Sequence, residues 1–259
     1  MYEAINIAAT GLQSQQRRLD TIAHNVANIN TAAYKSVRLD FKDALYTAGL
    51  VPALPRTREP EGNQQKGHGV MVAGIAKDFS TGSMQTTGRQ LDVMIQGEGF
   101  FALQDPEGNT LYTRNGSFNL SVEDDGIYLV NAAGYYIQDA DGERIMFPEN
   151  TEKIVFEESG LITITVGEEE TSVALGLYTF RNLTGLMSDG YGYYSESVAS
   201  GERMQANGVI IRQGILEISN VKLADEMTRM IRTQRAFSLA SRALTTSDEM
   251  EAIANNMRR

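Results

Sequence analysis

The sequence runs to 259 residues, 42% of them hydrophobic, with no cysteine and a formal net charge of −10. Length and apolar content suffice for one large domain or two smaller ones with buried cores, and the missing cysteines exclude disulfides and thiol chemistry. The charge is uneven: residues 1–42 carry five Lys/Arg against three Asp/Glu and residues 215–259 seven against six, but residues 43–214 carry eleven against twenty-four, which argues against nucleic acid and against anionic membrane surfaces as partners.

Residues 1–31 predict a long amphipathic helix. Ile5, Leu12, Leu19 and Val26 recur every seven residues, Ala8, Ile22 and Ile29 fall at the intervening spacing, and Gln15 is the polar exception; this is an a/d seam. Such a helix would be about 45 Å long. Its flanks are small or polar (Ala9, Thr10, Gly11, Gln16) and leave room for close packing by another helix. Glu3, Asn6, Gln13 and Gln15 to Arg18 interrupt any apolar run, so the expectation is that there is no cleavable secretory signal. No stretch approaches the roughly 20 apolar residues of a membrane span. On these facts alone the chain reads as cytoplasmic. Asn28, Asn30 and Thr31 then compete with the helical backbone and favour its end.

Residues 47–69 break the composition, with Pro52, Pro55 and Pro60 among Gly49, Gly62 and Gly67. They predict a mobile loop too long for a routine connector, and hence a functional one. From Gly69 the hydrophobic period changes to two. Strands are expected around Val70–Ile75, Leu91–Ile95, Gly99–Leu103, Leu111–Arg114, Ile127–Val130, Tyr135–Gln138, Arg144–Phe147, Ile154–Phe156, Leu161–Val166 and Val173–Phe180, with turns at 106–109, 124–126 and 141–142. Gly185–Gly208, rich in Gly, Tyr and Ser, reads as an irregular return path.

A second helix is predicted from about residue 218 to 257, roughly 60 Å long. Leu223, Met230, Phe237 and Leu244 carry the seven-residue interval, flanked by Met227, Ile231 and Ala240, before the register shifts to Met250, Ile253 and Met257. The fold class is therefore α+β. Residues 1–42 and 215–259 would form a coiled-coil-like helical assembly domain, 43–69 a loop, and 70–214 a mainly antiparallel β domain. Apolar stripes at opposite termini have only each other or neighbouring copies to cover them, so self-assembly is expected.

Residues with catalytic or ligand chemistry are sparse. The two histidines, His24 and His68, have no cysteine or acidic cluster at metal-ligand spacing. Gly-x-Ser-x-Gly is absent, and Gly97-Glu98-Gly99 lacks the third glycine of a dinucleotide fingerprint. Asp139–Glu143 opens like a calcium loop, but the acid needed at its twelfth position would fall on Asn150, which favours a hairpin turn. No enzyme activity, metal or cofactor is expected. A rival reading is a secreted or surface β domain with a helical dimerisation hairpin, binding a glycan through Tyr191, Tyr193 and Tyr194.

Three segments together resemble the bacterial flagellar rod and hook family of axial proteins. The first is Ala9-Thr10-Gly11-Leu12-Gln13 through Leu19 to Thr31, with Asn25 and Asn28, then Tyr34-Lys35. The second is Leu91-Asp92-Val93 with Gln96-Gly97-Glu98-Gly99-Phe100-Phe101 and Tyr112 to Phe118. The third is Leu216 to Val221, containing Ser219 and Asn220, then Glu226-Met227, Met230-Ile231 and Gln234-Arg235-Ala236-Phe237. His24 stands where the family usually has asparagine, and Ala33 where glycine precedes the aromatic-Lys pair. The resemblance implies a non-enzymatic subunit whose terminal helices pack with those of neighbouring copies into a tubular core, with the β domain outward. It also implies neighbouring rod and hook subunits as partners, and departure through the flagellum's own export apparatus to the basal body, which replaces the cytoplasmic reading. Length and a single β domain resemble a rod subunit, distal ahead of proximal, rather than a hook subunit. The 47–69 loop would then stiffen the rod.

Overall fold

The computed structural model describes residues 2–44, 47–48, 65–67, 69–123, 125–167, 169–206 and 208–257. The chain divides into two compact units: Met1–Ala27, Val37–Ala76 and Lys222–Arg259 form the first, Asn28–Ser36 and Lys77–Val221 the second. These boundaries differ from those expected, since residues 28–36 and 215–221 group with the strand-rich unit and residues 70–76 with the helices.

The first unit is built on helix α1 (Tyr2–Ala27) and helix α2 (Leu223–Asn256), which pack against each other. Strand Val37–Asp43 pairs with Val70–Lys77, and the short strands Thr47–Ala48 and Gln65–Lys66 pair antiparallel. Most of the expected 47–69 loop, residues 49–64 and 68, lies outside the described residues. Gly69 has φ +101 and passes so close to α1 that a Cβ there would lie 2.2 Å from Thr10 Oγ1. No helix among the described residues is long and apolar enough to cross a membrane.

Both helices are shorter than the periodicity predicts, for the same reason. After Ala27 the backbone turns, with Thr31 N–H donating to Asn28 O, and Ala33 N–H donates to Glu217 O. Ala32 forms a β-bridge with Ile218, whose N–H donates to Ser83 O. Backbone groups already spent in strand-like pairing cannot join a helical ladder. Ile29 therefore lies beyond α1, and Ile218 to Val221 lie before α2. Ala33 takes φ +55 while buried, so the left-handed turn is made without the glycine that would make it without strain, at a cost of about 1 kcal/mol.

In the second unit all described strand pairings are antiparallel. Strand Phe100–Gln104 is central, pairing with Thr110–Thr113 on one side and with Tyr136–Ile137 and Leu177–Phe180 on the other. Alternate residues point to opposite faces. Phe101 and Leu103 enter the main core with Val93, Ile95, Phe118, Leu129, Ile137 and Ile162. Phe100 and Ala102 enter a second, aromatic core with Tyr112, Tyr178, Phe180 and Tyr194. Phe101 and Phe118 meet edge to face at 5.0 Å, worth about 1 kcal/mol beyond their burial.

Two readings of this region need correction. Val173–Phe180 is not one strand: Glu169–Ala174 and Leu177–Phe180 are separated at Leu175-Gly176, where the chain runs so close to Asp139 that a Cβ on Gly176 would lie 2.5 Å from its carbonyl oxygen. Gly185–Gly208 is not irregular throughout. Met187–Gly190 and Tyr193–Ser195 form a hairpin, turned at Tyr191 and Gly192 with positive φ, and Arg203–Gln205 pairs with Leu177–Phe180. Asp139–Glu143 is a turn in which Asp139 Oδ1 accepts from the Asp141 and Glu143 amides.

Gly116 supplies a direct check of the core. A Cβ there would lie 1.7 Å from Val93 O, whereas at Gly74 it would meet open space. Gly116→Ala should lower the unfolding free energy measured in urea by about 2 kcal/mol or more through overpacking, and Gly74→Ala should change it by less than about 0.5 kcal/mol.

Candidate functional site

The residues of the three quoted motifs fall into two groups: those that hold the chain, and those for which no contact among the described residues accounts. In the strand-rich unit the first group centres on Glu217, near the end of its last strand. Lys35 Nζ donates to Glu217 Oε1 at 2.6 Å and to Ser80 O at 2.8 Å, the Gly82 amide donates to the same Oε1, and Arg114 Nε donates to Oε2 at 3.1 Å. Arg114 also donates to the carbonyl oxygens of Ile95 and Gly97. All three charged side chains are about 1% exposed.

One carboxylate thus serves two cations in a space without water. Burial, with the Arg114 guanidinium acting in the same sense and Glu217 opposing both, lowers the Lys35 ammonium to a pKa of about 8. A lysine lowered this far is a common sign of a general base. Here the ammonium donates to Glu217 and to the Ser80 carbonyl in closed surroundings, which is the arrangement of a structural cluster.

Asparagines hold the adjoining segments as if they were strand partners. Within the second unit, Asn220 Oδ1 accepts the Ser36 amide at 2.8 Å while its Nδ2 donates to Asp78 O. Within the first unit, Asn25 Oδ1 accepts the Val37 amide and Nδ2 donates to Val37 O, both at 2.9 Å. Ser219 Oγ accepts the Val221 amide, and Thr31 Oγ1 donates to Asn28 Oδ1. Tyr34 is half-buried. Gly97 has φ +122, and a Cβ on Gly97 or on Gly99 would crowd Val209 at 3.3 Å. Phe100 and Phe101 are the two faces of the central strand described above.

The second group is on the helices. Along α1, Ile22 is buried and Ile5, Leu12, Leu19 and Val26 are half-buried. Along α2, the less exposed positions include Glu226, Met230, Thr233, Phe237, Ala240, Leu244, Ser247, Glu251 and Ala254, an alternating spacing of four and three that supports a seam with α1, with Ala236 and Ser241 beside it. Met230, Phe237 and Leu244 keep their expected place in it. Leu223, Met227 and Ile231 do not: they are 42%, 54% and 52% exposed. Met250, Ile253 and Met257 are exposed at the far end. Gln234 and Arg235 are exposed and make no hydrogen bond or ion pair among the described residues, and a Cβ on Gly11 would meet nothing within 4 Å.

Sequence reasoning singled out Lys35 but not its partners Glu217 and Arg114, although both stand in the quoted motifs; a charged residue inside an apolar run was the available signal. The proposed aromatic face does not form. Tyr194 is buried against Phe79 and Phe100, Tyr193 packs on Tyr135, and Tyr191 alone stands exposed at its hairpin tip.

Three segments match known families: residues 5–35 the family described as flagella basal body rod protein, 94–164 the flagellar hook protein FlgE/F/G D1 domain, and 212–257 the flagellar basal body rod FlgEFG protein C-terminal. Along the full chain, the sequence is 38% identical to the flagellar basal-body rod protein FlgG of Borreliella burgdorferi over 273 aligned residues and 34% identical to that of Bacillus subtilis over 268, with 100% of both chains covered in each case. The FlgG of Agrobacterium fabrum is 34% identical over 97% of this chain and 98% of its own.

The two asparagine clamps can be separated by hydrogen exchange. Asn25→Ala should accelerate exchange of the Val37 amide by on the order of tenfold or more and spare Ser36, and Asn220→Ala should do the reverse. Lys35 makes a pH prediction. Between about pH 8 and its ordinary value of 10.5, the unfolded chain keeps a proton that the folded chain has released, so this group favours folding increasingly as pH rises. The stability of the wild type relative to Lys35→Met should therefore be flat below pH 8 and climb through that window; a flat line throughout would mean that the buried ammonium stays charged.

Proposed function

The chain belongs to the flagellar basal-body rod protein family, and we propose that it is a structural subunit of the distal rod, assembling through its terminal helices into a helical tube that transmits torque. Its partners on this reading are copies of itself and the neighbouring rod and hook subunits, and it reaches the basal body through the flagellar export apparatus. The observation that carries the assembly reading is the face of α2 that α1 leaves uncovered: Leu223, Met227 and Ile231 at one end, Met250, Ile253 and Met257 at the other. Exposed apolar residues repeating along a helix mark an interaction surface. Joined to a different surface on the next copy, they make head-to-tail contacts that do not close and so generate a helix of subunits.

Gly11 supports the same reading. A glycine inside a helix costs about 1 kcal/mol relative to alanine, and no neighbour among the described residues requires it. A close approach by another copy would. On this reading the helical residues are the assembly part, the strand-rich residues the outer part, and residues 47–69 a candidate for stiffening contacts.

The test uses purified full-length chain, followed by sedimentation and electron microscopy. Wild type should form tubular polymers on concentration, and Met227→Asp with Ile231→Asp should abolish them while leaving thermal unfolding unchanged. Gly11→Ala should raise helix stability yet weaken assembly. Polymers that form equally well from the double aspartate variant would overturn the reading.

A further inference from the structure

The helical unit contains a groove of about 570 Å³ between α1, the strand Val37–Asp43 and the first half of α2. Four arginines line it: Arg18, Arg38, Arg229 and Arg232. Arg38 pairs with Asp40 at 3.1 Å and Arg229 with Glu226 at 2.9 Å. Arg18 lies with its guanidinium 4.6 Å from the Phe41 ring. Neither Arg18 nor Arg232 has a carboxylate partner among the described residues, so the groove holds two uncompensated cations. Its floor is also short of a donor. Glu226 is 3% exposed, its Oε1 accepts from Arg229, and its Oε2, buried in the unassembled chain, accepts no hydrogen bond among the described residues.

We infer that this groove receives the acidic end of α2 from a second copy of the chain, with Asp248 and Glu249 of that copy facing Arg18 and Arg232. The inference rests on the assembly reading above and gives it an address. The two ends of α2 are complementary in charge. Residues 223–242 carry four arginines against Asp225 and Glu226, whereas residues 243–257 carry Asp248, Glu249 and Glu251 with no Lys or Arg. They match in polarity too, since each leaves apolar side chains exposed beside its charges, Leu223, Met227, Ile231 and Leu239 in the first and Met250, Ile253 and Met257 in the second. Thr246, Glu249, Met250 and Ile253 recur at three- and four-residue spacing and so share a face. Because groove and acidic end are different surfaces, the contact is heterologous and propagates. Arg232 and Asp248 are 16 residues apart in sequence, which at the α-helical rise sets an offset between copies of roughly 24 Å along α2.

Charge exchange tests this. Arg18→Glu with Arg232→Glu gives a chain whose groove repels the acidic end, and Asp248→Arg with Glu249→Arg gives a chain whose end is repelled by the groove. Each alone should lower the polymer yield by on the order of tenfold or more, because juxtaposed like charges oppose association, with thermal unfolding of the unassembled chain unchanged. An equal mixture of the two should recover the yield, since each now matches the other, and so should the chain carrying all four changes. Single variants that polymerise like wild type, or a mixture that fails to recover, would overturn the groove while leaving assembly itself standing. Wild type that forms no polymer would overturn both.

Discussion

A carboxylate between two cations, out of contact with water, is the constraint on which the strand-rich unit depends. Glu217 accepts from Lys35, from Arg114 and from the Gly82 amide, donors that lie up to 182 positions from it in the chain. Desolvating three charged groups is unfavourable, so the cluster is poor evidence for added stability. Its effect is selective. Removing any one member strands the others, and a competing arrangement that brings an apolar residue to this place leaves a buried charge without a partner. The segment around Lys35 is thereby confined to one register, and a register slip of a single residue would move it to the other face.

The asparagine clamps follow the same logic with neutral groups. Asn220 and Asn25 each use both ends of the amide, one accepting and one donating, so that short extended stretches find strand-like partners where no strand is available. Aspartate would offer no donor and alanine neither group. In consequence the backbone leaves its helical ladder early at Ala27 and enters it late at Leu223. The apolar periodicity continues past both points because Ile29 and Ile218 still serve packing, though no longer on a helix.

Much of the fold was legible in the sequence, and its failures share a physical origin. The seven-residue interval located both helices, and the two-residue period located most strands, because burial on one face leaves a repeat. The helix ends were misplaced because hydrogen bonds from residues distant in sequence decided them. The hairpin at Met187–Ser195 escaped notice because its outer strand is exposed along its length and so has no alternation to display. Lys35 was recognisable as part of a motif, but its role was not: the distance from Lys35 to Glu217 in sequence says nothing of a 2.6 Å separation in space.

The seam on α2 shows most plainly where sequence pattern and packing part. Leu223 has the correct seven-residue interval to Met230 and is nevertheless exposed, while Glu226 and Thr233, polar residues that a seam ordinarily excludes, are buried. Hydrophobic periodicity records every partner a helix meets, and it cannot say which of them belongs to the same chain. A helix that serves one partner concentrates its apolar residues in one stripe. On α2 they are distributed around the axis, with Met230, Phe237 and Leu244 turned towards α1 and Leu223, Met227 and Ile231 turned away. Among the described residues the second set has no cover, which is the pattern that a helix with a second neighbour would show.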